Sequence, residues 1–462
     1  MAEIFYVAEP NTSLFKMAGQ TAGRSGSVQV LMGARLHVDS ANEHHGWARA
    51  ETVPDGEGKM RAGFVEMSRL SKRRQLKVFY TDVGQGDAIL IEAEDAVIVI
   101  DGGPNSGFHD HLNRRLESLR RADVAVGLPE RASIHVNIVV VSHFDTDHYV
   151  GLTRILKDPA YTFGTIYHNG LPRYGNLAGK DLDLGTLYPL DDGSKSISTD
   201  LRDLDSARTL LESNALLTDK GNLNRFGEFL EAAISASSQG RLSDFQLLVK
   251  RDVNGPRFVL PGAGEDIELE VLAPVTTQTS GRIRLQTFSN PHSITERNPH
   301  PSPSDSHTIN GNSIVLRLTY GQSTFLFGGD LNQPAQRYLS EKYGNLDRFS
   351  ADVNKACHHG SPDFELSYLK AVNPHATIFS SGDNGSYDHP FPDAMGAAAK
   401  HSRGDFPLVF STELAREIGS GGIKLGHINA RSNKHVIVMA QKKEKPSVKE
   451  PWHTFMLPYI GL

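Results

Sequence analysis

Four side chains able to bind a divalent ion, His143, Asp145, Asp147 and His148, fall within six residues, directly after the run Asn137-Ile-Val-Val-Val. Neutral imidazole and carboxylate together suit Zn²⁺ or a harder ion such as Mn²⁺. In an extended segment alternate side chains point the same way, so His143, Asp145 and Asp147 are expected to share one face, with His148 following at the turn. Two ions held side by side by such a set would acidify a shared water and stabilise displacement at a polarised centre. A solvated polar loop is the alternative, but further His/Asp segments later in the chain, ending at Asp330, at His358-His359 and at Asp388-His389, extend the same chemistry.

The elements that must position these groups are legible as alternating strands and helices. Leu76-Lys-Val-Phe-Tyr runs into the acidic turn Asp82-Val-Gly-Gln-Gly-Asp87, and Ala96-Val-Ile-Val-Ile runs into Asp101-Gly-Gly. A helical stretch follows from His111, then the strand Ile138 to Val141, then a helix through Leu152-Thr-Arg-Ile-Leu. Glycines in the turns permit the close approach and positive φ that a crowded site requires. Buried strands alternating with helices predict an α/β layered fold.

A chain of 462 residues with 39% hydrophobic content buries a large core and has room for smaller units beside it. Residues 1–70 read as short strands separated by Gly- and Asn-rich turns, and predict a small β domain. Ser71-Lys-Arg-Arg reads as a hinge, its charge run as a solvated linker rather than a binding patch. The main domain is expected over 76–430 with an insertion at about 172–310, and a C-terminal strand or tail over 431–462. No apolar stretch reaches the ~18 residues of a membrane span, and the first ten residues lack a leader pattern, so cytoplasmic residence and no membrane partner are expected. The single cysteine, Cys357, excludes an intramolecular disulfide and reads as a small buried residue. A net charge of −6 argues against nucleic-acid binding by overall charge, leaving room for a local basic groove.

Asp82-Val-Gly-Gln-Gly-Asp87, Ile100-Asp101-Gly-Gly, Ser142-His-Phe-Asp-Thr-Asp-His148, Gly311-Asn312-Ser313, Leu326-Phe-Gly-Gly-Asp330, Lys355-Ala-Cys-His358-His359-Gly-Ser361 and Asp388-His389-Pro390 occur in this order. They resemble the motif set of the metallo-β-lactamase superfamily, and within it the ComEC/Rec-type competence hydrolase branch, over roughly residues 76–420. Gly46-Trp-Ala-Arg-Ala-Glu and Ala62-Gly-Phe-Val-Glu resemble a bacterial SH3-type barrel. The resemblance implies an αββα sandwich with a small N-terminal all-β, barrel-like domain.

It further implies two divalent metal ions, Zn²⁺ or Mn²⁺, with Mg²⁺ as an alternative. His143 and Asp145 would hold the first, Asp147 and His148 the second, and Asp330 would bridge both. His358 matches the last metal-binding histidine, and His389 is either a ligand or a phosphate contact. Asp147 and Asp330 would orient the attacking water. Asp145 and Asn312 stand where the superfamily commonly has histidines, which replaces nitrogen donors by oxygen at the first ion and favours harder metals. Lys355 is either a contact to a phosphate oxygen or an ordinary strand-end lysine. Asp82, Asp87 and Asp101 read as groups that orient ligands or cap turns, and His359 as a neighbour of the site or of the substrate.

The function expected from this set is that of a metal-dependent hydrolase, foremost a phosphodiesterase or nuclease acting on nucleic acid or a nucleotide. Hydrolysis of a lactone, thioester or β-lactam is the alternative, as is a partner-binding protein with a structural metal, engaging that partner through the N-terminal domain. The insertion contains a helix from Asn222, a strand from Ile267 and a Ser/Pro-rich loop beside the site, and Lys442 to Lys445 form a short basic run.

Overall fold

The computed structural model describes residues 2–20, 27–54, 59–94, 96–175, 180–279, 282–298, 301–382, 387–412, 427–443, 447 and 449–457. Glu444 and Lys445 of the C-terminal basic run lie outside them.

The strand Ile134–Val141 shows why the core forms as it does. Its side chains alternate, Ile138 and Val140 pointing into one apolar cluster and Val139 and Val141 into another, so both faces are covered and residues 138–141 read as an unbroken apolar run. Each such buried Val or Ile contributes roughly 1.5–3 kcal/mol. On one side lie the helices Gly107–Val124, Thr146–Lys157 and Arg225–Ser238, through Leu112, Leu152, Phe226 and Phe229. On the other lies a second sheet, which contributes Leu269, Leu316, Phe325, Val353 and Ile378. The far face of that sheet packs through Val315 and Leu326 on Leu339 and Val372, from the helices Gln333–Tyr343 and Leu366–Val372. The result is the four-layer αββα arrangement expected.

Among the described residues the first sheet has nine strands, in the order Leu242–Leu247, Tyr161–His168, Ile134–Val141, Ala96–Ile100, Ile89–Ala93, Leu76–Tyr80, Ile428–Ser432, Ile437–Lys442 and Trp452–Met456. The second runs Ile267–Ala273, Val315–Tyr320, Ser323–Phe327, Val353–Lys355, Ala376–Phe379 and Leu408–Ser411. Parts of the expected insertion and of the C-terminal segment join these two sheets. Residues 172–310 are not one appendage, because Arg225–Ser238 belongs to the helical layer and Leu242–Leu247 and Ile267–Ala273 are edge strands of the two sheets. Of the expected C-terminal strand or tail, the described residues form strands: Ile428–Ser432 pairs antiparallel with Leu76–Tyr80 and carries two further strands.

The N-terminal region forms a separate five-stranded antiparallel sheet around Val7, Leu36, Val38, Ala50 and Val65. Its ten-residue strand Arg35–His44 escaped the sequence reading, because its second half is polar and exposed. Among the described residues no helix is long and apolar enough to cross a membrane.

Candidate metal centre

Ala96–Ile100, Ile134–Val141 and Tyr161–His168 run parallel, as do Ser323–Phe327, Val353–Lys355, Ala376–Phe379 and Leu408–Ser411. The turns after the carboxyl ends of such strands gather on one edge, where α/β sheets present their functional groups. Asp101, His143 to His148, Asp330 and His358-His359 all follow such ends. Gly86 has φ +136°, and a Cβ there would strike the carbonyl of Asp147, so only glycine lets the turn from Asp82 to Asp87 lie against the start of Thr146–Lys157. Asp87 N–H donates to that carbonyl at 3.2 Å.

Asp147, His148, Asp330 and His359 each direct a ligand atom to one point, all within 4.8 Å of one another. His148 Nε2 lies 3.3 Å and His359 Nε2 3.1 Å from Asp330 Oδ2, and His359 Nε2 is 3.3 Å from Asp147 Oδ2. Ligands about 2.1 Å from a tetrahedral ion stand about 3.4 Å apart, so these spacings fit one. The outer nitrogens are already committed: His148 Nδ1 lies 2.9 Å from Asp101 Oδ2, and His359 Nδ1 lies 2.8 Å from the carbonyl of Ser380. Both inner Nε2 atoms are buried without a hydrogen-bond partner, as is that of His143, the state expected of imidazoles arranged for a metal.

Charge points the same way. Against burial, which disfavours a charged ring, the Asp330 and Asp101 carboxylates hold His148 well above the usual imidazole range. Against the same burial penalty, Asp330 and Asp87 do so for His359. The cluster thus favours positive charge at the point where its lone pairs converge, and these residues fit a divalent ion. His143 behaves oppositely: burial and the neighbouring His148 push it well below the ordinary value, which leaves a neutral donor.

The residues expected to hold a first ion are more widely spaced and do not join the tight cluster. His143 Nε2 lies 3.8 Å from Asp145 Oδ2, and His358 Nε2 lies 3.9 Å from Asp330 Oδ2. Asp145 occupies the N-cap position of its helix yet makes no capping hydrogen bond, so its carboxylate stays available. Its Oδ1 meets Arg173 Nη1 at 3.5 Å.

Several sequence-based roles change. Asp147 and His148 sit in the first helical turn, so the extended-segment argument holds only for His143 and Asp145. His359, rather than His358, supplies the nitrogen of the tight cluster. Both have left-handed backbones, φ +50° and +54°, which turn the second ring inward. His389 stands beside the cluster, its ring 5.6 Å from that of His358 and its Nδ1 3.1 Å from Gln85 Nε2. Asn312 is withdrawn: its amide donates to the carbonyls of Gln286 and Thr308 and ties down the end of a helix. Lys355 is wholly buried, its ammonium paired with Asp87, 3.7 Å from Asp330 Oδ1 and donating to the carbonyl of Gly329 at 3.1 Å. The lysine is thus spent on carboxylates beneath the site and does not face a substrate phosphate.

Asp82 accepts from Gly84 N–H and shapes its turn. Cys357 is partly buried, and burial pushes its thiol up to about 12, which suits no nucleophile.

Sequence reasoning gave no role to Arg173, which lies in no motif. It gave none either to Ser142 and Ser313, which do: Ser142 hydroxyl donates to Asp101 Oδ2 at 2.6 Å, and Ser313 Oγ lies 3.3 Å from His143 Nδ1 and accepts from Asp330 N–H at 3.0 Å. Asp101 anchors both Ser142 and His148, so Asp101→Ala is expected to lower divalent-ion affinity by about 10–100-fold, read by calorimetric titration of metal-free protein.

A family model covers the first half of this site. Residues 81–204 match the model of the metallo-beta-lactamase superfamily. Competence protein ComA of Neisseria gonorrhoeae is 32% identical over 125 residues, 26% of this chain and 18% of that protein. ComE operon protein 3 of Bacillus subtilis (strain 168) is 28% identical over 103 residues, 22% of this chain and 13% of that one. The chain thus spans less than a fifth of the length of these relatives. Among solved structures, the metallo-beta-lactamase fold protein YhfI from Bacillus subtilis aligns at 11% identity and a TM-score of 0.30, covering 73% of this chain and 96% of that one. A diphosphatase of the PhnP family aligns at 9% identity and a TM-score of 0.31, covering 77% and 98%. The ordered His/Asp motifs, the four-layer fold and the matched family model together assign this chain a metallo-beta-lactamase domain, and the competence-protein relatives support a ComEC-like branch.

Proposed function

We propose that the chain is a metal-dependent phosphodiesterase or nuclease. A domain of this superfamily implies divalent ions and supports an enzyme. The phosphodiester reading rests above all on Arg173. Its guanidinium stands beside Asp145 and reaches Asp183 at 3.1 Å, and its Nη1 is buried without a hydrogen-bond partner. A planar fork of donors next to the open, oxygen-rich side of a metal cluster is the group that recognises a phosphoryl oxygen.

When bound, divalent ions here supply Lewis acidity and lower the pKa of water. The chain's own groups do the rest. Asp147 and Asp330 orient the nucleophile, Asp101 and the Ser380 carbonyl fix His148 and His359, and Arg173 steadies the substrate's charge. Asp145 and Asp147 are the most exposed of these acids, each with 28% of its side chain open, whereas Asp330 is nearly enclosed at 4%. Substrate therefore approaches from the side of Asp145, Asp147 and Arg173. Nucleic acid or a nucleotide supplies the substrate chemistry, and the metal is Zn²⁺ or Mn²⁺, with Mg²⁺ the harder alternative.

The test is hydrolysis of bis-p-nitrophenyl phosphate by metal-free protein reloaded separately with Zn²⁺, Mn²⁺ and Mg²⁺. Cleavage that depends on metal, is lost in Asp147→Ala and shows a raised KM in Arg173→Ala is the expected result. No cleavage by fully loaded protein would overturn the phosphodiester reading and turn attention to lactones and thioesters.

A further inference from the structure

A second polar site lies where the N-terminal sheet meets the main domain. A cavity of about 340 Å³ opens there, and it shares no lining residue with the metal cluster. Arg35, Arg74, Lys77, Arg115, Arg131 and Arg431 line it, and Glu92 is the only acid on its wall among the described residues.

The charges do not balance. Glu92 is divided between Lys77 Nζ at 2.7 Å and the Arg115 fork, whose Nε and Nη2 both lie at 2.6 Å. Asp123, behind the wall, is divided between Arg35 at 2.6 Å and Arg131 at 3.2 Å. Arg74 donates to the Tyr6 hydroxyl at 3.1 Å and Arg431 to the Met32 carbonyl at 2.8 Å, and neither has a carboxylate among the described residues. Six cations therefore face two acids.

Arg431 is the decisive residue. It is only 9% exposed, yet its Nε has no hydrogen-bond partner, and the same holds for Nε of Arg35, whose side chain is also 9% exposed. A buried guanidinium donor left unmatched is costly unless something completes it. Burial above all, with Arg115 and Arg431 adding to it against the pull of Glu92, brings the Lys77 ammonium down to about 7. Each of these two arginines is matched at one end of its guanidinium, Arg431 by the Met32 carbonyl and Arg35 by Asp123 and the Ala122 carbonyl, and is left unmatched at Nε.

We infer that this cavity is a binding site for a small, multiply charged phosphate compound, held by Arg431, Arg35, Arg74 and Lys77. The volume suits a pyrophosphate or a nucleotide and is too small for a duplex backbone. Arg35 belongs to the N-terminal sheet, Lys77 and Arg431 to the nine-stranded sheet, and Arg74 to the segment between them, so the ligand would fasten the two domains together. The inference is independent of the phosphodiesterase proposal, because it uses none of that site's residues.

The experiment is calorimetric titration of the full chain with pyrophosphate and with ATP, in metal-free and metal-loaded forms. Saturable binding is expected in both forms, weakened at least about tenfold in Arg431→Gln and in Arg74→Gln, and unchanged in Lys72→Gln, whose lysine pairs with Glu3 outside the cavity. Arg74→Gln removes a less buried side chain and serves if Arg431→Gln does not fold, as judged by circular dichroism. Binding seen only with metal present, binding equal in both arginine variants and wild type, or no saturable binding would each overturn the assignment.

Discussion

Asp330→Asn is expected to reduce phosphodiester turnover by at least about a thousandfold while the protein keeps its secondary structure. Asp330 is 3% exposed, and its Oδ2 is within 3.3 Å of the inner nitrogens of both His148 and His359. Asparagine preserves the shape but removes the anion, so the two imidazoles lose their common partner and a bound ion loses its most enclosed oxygen. Initial rates on bis-p-nitrophenyl phosphate for matched, metal-loaded preparations, with circular dichroism of both, check the result. Activity within tenfold of wild type would sink the assignment of Asp330 to the centre of the site.

The second large effect is on stability. Lys355→Met is expected to lower unfolding free energy by about 3–5 kcal/mol, because it strands Asp87 in the interior without its cation. Asp87 is 1% exposed, and Lys355 is its buried partner. The double variant Asp87→Asn/Lys355→Met should recover much of the loss, since neither charge is then uncompensated; urea denaturation of the four proteins gives the coupling. If the single and double variants are equally unstable, the pairing is not the source of the effect. The pH dependence has a definite sign. Although burial opposes ionisation, the Lys355 and His359 charges hold Asp87 below the usual carboxylate range. Its contribution is therefore complete above the unfolded carboxyl's pKa of about 3.9 and is lost as pH falls from there towards the folded value.

Both effects concern residues that the sequence singled out, and of the two only Asp330 lies in the tight cluster of candidate ligands. Asp330 follows a strand end in a short glycine turn, where few orientations are open, and its place was legible. Lys355 is the last residue of a short, wholly buried strand, and its direction depends on the register between Ser323–Phe327 and Ala376–Phe379, which local sequence does not reveal. The choice between His358 and His359 turns on backbone dihedrals of neighbouring residues that are chemically identical. Arg173 was invisible because a lone arginine outside a motif carries no local signal; only the fold brings it to Asp145. The four layers were legible from the buried strands, while Arg35–His44 was missed because half of that strand is solvated.

The pairing of Leu76 with Ser432 and of Tyr80 with Ile428 has a consequence for how the domain is made. Almost the whole domain must leave the ribosome before its first strand meets this partner, so contact order is high and closure comes late. Until then Leu76–Tyr80, buried throughout in the finished fold, offers an unpaired apolar edge. Such an edge recruits other chains as readily as its own. The last strands therefore act as a seal on the nascent polypeptide, and a product cut short before Ile428 is destined for aggregation or proteolysis despite carrying every metal-binding side chain.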